Sequence, residues 1–111
     1  MIRKTYNKLV RDNIIDIILK DNGKPSFKIL NDDDFKIALK EKVLEESKEL
    51  IEAETKEDII NELSDILELI ESISKNYNIT KEEIDNKKEN KKIKRGGFDK
   101  KIFLEYSDEE K

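Results

Sequence analysis

Runs of apolar residues at helical spacing, separated by short polar breaks, organise this chain. Ile14, Ile15, Ile17, Ile18 and Leu19 form the first, closed by Asn22-Gly23. So many isoleucines suit a strand as well as a helix. Asp16 and Lys20, four residues apart, and the Asn-Gly stop favour a helix, with Asp12 or Asn13 as its cap. Residues 25–30 (Pro-Ser-Phe-Lys-Ile-Leu) are short and partly alternating, which predicts an extended segment, at most a small strand. Asn31 and the three aspartates after it read as the cap and first turn of a helix, where the dipole favours negative charge, rather than as a metal site.

Two long helices follow, over about residues 34–53 and 57–75, joined by a turn near Thr55 or Lys56. In the first, turning about 100° per residue, Ile37, Leu39, Val43, Leu44, Leu50, Ile51 and Ala53 fall on one broad stripe. Glu41, Glu45 and Glu52 project to the opposite side. Glu46 falls inside the stripe and Glu49 on its edge. In the second, Ile59, Ile60, Leu63, Ile66, Leu67, Leu69, Ile70 and Ile73 make the stripe. Glu62 falls inside it and Asp65 on its edge, while Asn61, Ser64, Glu68 and Glu71 project to water. Two helices joined by a short turn are expected to be antiparallel, so each presents one acid from its apolar face and one from the rim.

The remainder is more polar. Thr80-Lys81-Glu82-Glu83 is a capping-box start for a helix over about residues 81–93. Lysines gather late in that helix, and Arg95-Gly96-Gly97-Phe98 permits a tight turn or close approach of a ligand to backbone. The lysines read as a solvated face near a helix C-terminus or as anion contacts. Residues 102–106 are predicted to be extended, and the acidic tail at 107–111 to be frayed. With no internal repeat and 111 residues, a single domain over 1–111 is expected, all-α, a helical bundle with short extended segments near 25–30 and 102–106.

Acids inside apolar stripes need an explanation, because a buried unpaired carboxylate costs several kcal/mol unless neutralised or coordinated. The pairs Glu46–Glu49 and Glu62–Asp65 also place like charges one turn apart. Either Lys or Arg neutralises them, or they line a wet groove, or Glu46, Glu49, Glu62 and Asp65 converge on a cation. Composition narrows the chemistry. With no Cys and no His there is no thiolate, no imidazole base and no Ser-His-Asp triad. Any metal site is built from oxygen ligands, which favours magnesium, manganese or calcium. The chemistry left open is activation of a water by the metal, with phosphate charge neutralised by metal and by Lys or Arg. Lys8, Arg11, Lys91, Lys94 and Arg95 flank the acids in sequence and are candidates for phosphate contacts.

Charged residues make up 45% of the chain and apolar ones 35%, a balance typical of helical proteins, and one that leaves a marginal core for a monomer and makes an oligomer plausible. A net charge of −4 argues against stable nucleic-acid binding. No window reaches the roughly 18 apolar residues of a membrane span, and no signal-peptide pattern opens the chain, so a soluble cytoplasmic protein is expected.

Three segments together carry a family resemblance. Glu45-Glu46-x-x-Glu49, twelve residues, then Glu62-x-x-Asp65 resembles the signature of the MazG-like all-α nucleoside triphosphate pyrophosphohydrolases. Lys8-Leu9-Val10-Arg11-Asp12 and Arg95-Gly96-Gly97-Phe98 are similar to the branch labelled phosphoribosyl-ATP pyrophosphohydrolase-like, and the order of segments agrees from about Tyr6 to Tyr106. The chain departs from that pattern at Asn13-Ile14-Ile15, where relatives often carry Lys-Ile-Pro. The resemblance implies a helical bundle completed by homodimer or homotetramer formation. It implies magnesium-dependent cleavage between the α- and β-phosphates of a nucleotide, giving a monophosphate and pyrophosphate, with manganese as a substitute ion. It places Glu45, Glu46, Glu49, Glu62 and Asp65 in the catalytic motif, with Glu46, Glu49, Glu62 and Asp65 as metal ligands and Glu45, which projects away from that face, as a supporting group. House-cleaning of noncanonical nucleotides is one use of such an activity. The competing readings are a catalytically silent nucleotide-binding or helical interaction module of the same fold, and a coiled-coil adaptor, against which the breaks at Gly23, Asn76 and Gly96-Gly97 weigh.

Overall fold

A computed structural model of the chain describes residues 2–110. Among them lie four α-helices and no strand: α1 (Ile14–Lys20), α2 (Asp32–Glu52), α3 (Lys56–Asn76) and α4 (Lys81–Arg95). The architecture is therefore all-α. Residues 25–30 and 102–106 belong to no helix, and neither pairs into a strand.

Local chemistry sets the helix ends. The Asn31 side chain accepts a hydrogen bond from the Asp34 N–H at 2.8 Å, so α2 starts at Asp32, two residues earlier than the pattern suggested, and takes all three aspartates into its first turn. Thr55 caps α3 through the Asp58 N–H at 3.1 Å. Thr80 and Glu83 close a reciprocal capping box: the Glu83 N–H donates to Thr80 Oγ1 at 3.1 Å and the Thr80 N–H to Glu83 Oε1 at 3.3 Å. Asn13 stands at the N-cap of α1 without a side-chain bond. That helix ends as Asn22 turns to φ +64° and the Gly23 N–H reaches Ile18 O at 2.8 Å. A Cβ on Gly23 would lie 2.5 Å from Ile18 Cγ2, so the close approach needs glycine.

The chain divides into two compact units. Met1–Asn78 contains α1, α2 and α3; Ile79–Lys111 contains α4 and the segment after it. The expected single domain and its tail end on Met1 and Lys111, which lie outside the described residues; residues 107–110 carry neither helix nor strand.

In the first unit α2 and α3 form a hairpin across residues 53–55. Leu39 is its one buried apolar residue among those described, at 2% exposure. The broad stripes divide in two. Leu39, Val43 and Leu50 of α2, with Ile59, Ile66, Leu69 and Ile73 of α3, are buried or half-buried. Ile37, Leu44 and Ile51, spaced by seven, are exposed, and so are Ile60, Leu63, Leu67 and Ile70. A single partner helix covers one stripe about two residues wide, and the second line is left facing out. Among the described residues, no helix is long and apolar enough to cross a membrane.

Candidate metal centre

The hairpin brings the sequence-distant acids level. Glu46 stands seven residues before Ala53 and Glu62 seven after Thr55, so the two meet across an antiparallel pair. One carboxylate oxygen from each of Glu46, Glu62 and Asp65 lies within 4.8 Å of the others, and the same holds for Glu45, Glu46 and Glu49. Glu46 belongs to both groups. Glu45, which its projection set apart, is drawn in because it is only about 40° from Glu49 around the helix.

Burial is uneven. Glu46 is 6% exposed, Glu62, Asp65 and Glu45 are half-buried, and Glu49 is exposed. Glu46 Oε2 and Glu62 Oε2 are buried with no hydrogen-bond partner. Leaving such an acceptor unsatisfied costs about 1–3 kcal/mol, and more when it is charged. Desolvation, and then the nearby Glu62 carboxyl, push the Glu46 carboxyl above the ordinary glutamate range. Glu46 does the same to Glu49, with burial adding to the effect.

Three cations share this ground. Arg11 donates from Nη2 to Asp65 Oδ1 at 2.7 Å, and that bond raises the guanidinium pKa further. Lys8 Nζ lies 3.2 Å from Glu45 Oε1, and Lys42 Nζ lies 3.1 Å from Glu45 Oε2 and 3.6 Å from Glu46 Oε1. Burial works to raise Glu45, but the bonds from Lys42 and Lys8 outweigh it and leave its carboxyl below the ordinary range. Two of these cations, Lys8 and Arg11, were expected at the site. Lys42 was not, although its spacing of three and four residues from Glu45 and Glu46 is the signal that finds it. The other expected contacts, Lys91, Lys94 and Arg95, are exposed residues of α4 in the second unit, and among the described residues they take part in no ion pair.

The donor set fits a hard divalent cation. Every candidate ligand is a carboxylate, and the two orphaned oxygens are the acceptors such an ion would satisfy. Full neutralisation by Lys and Arg does not describe the cluster, since those bonds leave both oxygens unpaired.

No protein-family model, curated protein or solved structure matches this chain.

Proposed function

We propose that the chain is a magnesium-dependent nucleotide pyrophosphohydrolase of the MazG-like kind. It cleaves the α–β phosphate anhydride of a nucleoside triphosphate or related nucleotide to monophosphate and pyrophosphate. The observation that carries this reading is the half-buried acid cluster with two unpartnered oxygens, rimmed by Lys8 and Arg11. The reaction class comes from the motif resemblance, two of whose three segments, the acids of residues 45–65 and the Lys8–Asp12 stretch, contribute to the cluster.

Glu46, Glu49, Glu62 and Asp65 hold magnesium, or manganese in its place. The bound ion supplies Lewis-acid neutralisation of phosphate charge. Glu45 supports the group through its bonds to Lys8 and Lys42. Lys8 and Arg11 meet phosphate oxygens. Both are substantially exposed, and exposed ion pairs hold by only about 0–1 kcal/mol, so exchanging a carboxylate for a phosphate costs little. Arg11 has further N–H donors to spare while it keeps Asp65. Lys91, Lys94 and Arg95, which the sequence also offered for phosphate contacts, lie in the second unit and form no ion pair among the described residues.

The test is pyrophosphate release from a panel of deoxy, ribo, oxidised and phosphoribosyl nucleotides with magnesium. Glu46→Gln and Glu62→Gln should each lower the rate by at least about a hundredfold, the scale of losing one charge-stabilising group. A panel that yields no pyrophosphate with either magnesium or manganese rules out the hydrolase. Nucleotide binding without turnover would then identify a silent module of the same fold.

The outward lines Ile37-Leu44-Ile51 and Ile60-Leu63-Leu67-Ile70 support completion of the bundle by further copies, as a homodimer or homotetramer. Sedimentation should find such an assembly, and Leu44→Glu with Leu67→Glu should dissociate it. A wild-type chain that sediments as a monomer at all concentrations refutes this part.

A further inference from the structure

Lys42 is the least exposed cation in the chain's ion pairs among the described residues, with its side chain at 17% against 39% for Lys8 and 58% for Arg11. Lysines are mostly exposed, whereas this one is half-buried against its partners. Its ammonium spans two acids, 3.1 Å from Glu45 Oε2 and 3.6 Å from Glu46 Oε1. Glu46 is thereby split in function: one oxygen faces Lys42, while the other, Oε2, is buried and free. The charge count points the same way. With every carboxyl deprotonated, five carboxylates (Glu45, Glu46, Glu49, Glu62, Asp65) meet three paired cations (Lys8, Arg11, Lys42), and the two negative charges left over are what one divalent cation balances.

We infer that Lys42 is a positioning residue and internal counter-cation of the metal centre: it orients Glu46 so that Oε2 is left for the divalent ion, and its fixed positive charge weakens the hold on that ion. This rests on the metal reading of the cluster given above. Two opposed effects follow from one ammonium group. Without metal, Lys42 stabilises the fold by offsetting crowded carboxylates. With metal, it repels the incoming cation at short range through a partly desolvated medium, so affinity is lower than the acids alone would give. An ion held this way exchanges readily, as a site that must admit a metal–phosphate substrate and release metal–pyrophosphate requires.

The test uses the full chain and magnesium chloride alone, at pH 8 so that protons do not compete for the carboxylates. Calorimetry gives the magnesium affinity, and melting gives the stability with and without the ion. Lys42→Met keeps the unbranched stem and removes the charge; Lys42→Gln is a second neutral variant should the first fold poorly. Both should melt lower than wild type without magnesium, yet bind magnesium about tenfold tighter. Both should also gain more from it in melting temperature. Lys42→Arg should restore wild-type behaviour on both counts. A variant that merely loosened the fold would bind the ion more weakly, so tightening separates the counter-cation role from a structural one. Unchanged or weaker binding in both neutral variants, with wild type responding to magnesium, overturns the role of Lys42 and leaves the metal centre standing. A wild-type chain with no magnesium response overturns the metal centre, and this inference with it.

Discussion

The middle of the α2–α3 hairpin and the second half of α4 both crowd like charges onto one helix. Glu45, Glu46 and Glu49 gather within one turn of α2; Lys87, Lys88, Lys91, Lys92, Lys94 and Arg95 do so over two turns of α4. Residue counts alone would rank α4 as the stronger signal. Burial reverses the order. Every one of those α4 cations is exposed, so water solvates each, and only Lys81–Asp85 forms an ion pair on that helix among the described residues. In the hairpin Glu46 is 6% exposed, and both it and Glu62 hold an oxygen with no partner. Charge crowding marks a site only where solvent cannot relieve it.

The largest way to break this contrast is to neutralise one group in each region. Without divalent ions, Glu46→Gln removes a charge from the crowded cluster and gives it an N–H₂ that a neighbouring carboxylate can accept from. It should stabilise the chain by about 1–2 kcal/mol, or roughly 4–8 °C in melting temperature for a protein of this size. Lys91→Gln on α4 should stay within about 0.5 kcal/mol of wild type. Magnesium should then invert the first result, raising the melting point of wild type and not that of Glu46→Gln. If Glu46→Gln is as neutral as Lys91→Gln, the cluster is not under electrostatic load and the metal reading loses its footing.

Much of this centre is legible in the sequence because helical projection is a reliable geometric operation. Glu46 and Glu62 project among apolar residues, and each is equidistant from the turn. Both facts require only a regular helix and a short connection. The helix starts at Thr55 and Thr80 are legible for the same reason: the capping chemistry is local. Projection fails where the outcome depends on a neighbour. Ile37, Leu44 and Ile51 lie nearly opposite Glu46 around α2, and only the placement of α3 shows that they face outward. Lys42 is a surface-type residue by composition, and its burial depends on the carboxylates it reaches. The pairing of Lys8 and Arg11 with Glu45 and Asp65 spans 37 and 54 residues and depends on where the irregular N-terminal segment settles, which no periodicity encodes.

Acid titration sharpens the same contrast with a smaller effect. Glu46 and Glu49 have folded-state pKa values above the ordinary glutamate value of about 4.3. The folded chain therefore binds protons that the unfolded chain has already released. Their contribution to stability is fully present below the ordinary value and is lost as pH rises through the raised one. Glu45 has the opposite sign: its pKa is lowered, so its contribution is present above the ordinary value and lost as pH falls below it. Metal-free protein should thus melt highest near the ordinary carboxylate pKa and less well at neutral pH, by a few degrees. Saturating magnesium should flatten or reverse the neutral limb, because the ion binds the deprotonated acids and its advantage over protons grows with pH. Glu46→Gln should remove most of the metal-free slope, since it deletes the group that Glu49 leans on for its shift. A metal-free melting point that rises steadily from pH 4.5 to 7 would mean that Lys42, Lys8 and Arg11 already satisfy the carboxylates, and would count against the metal reading.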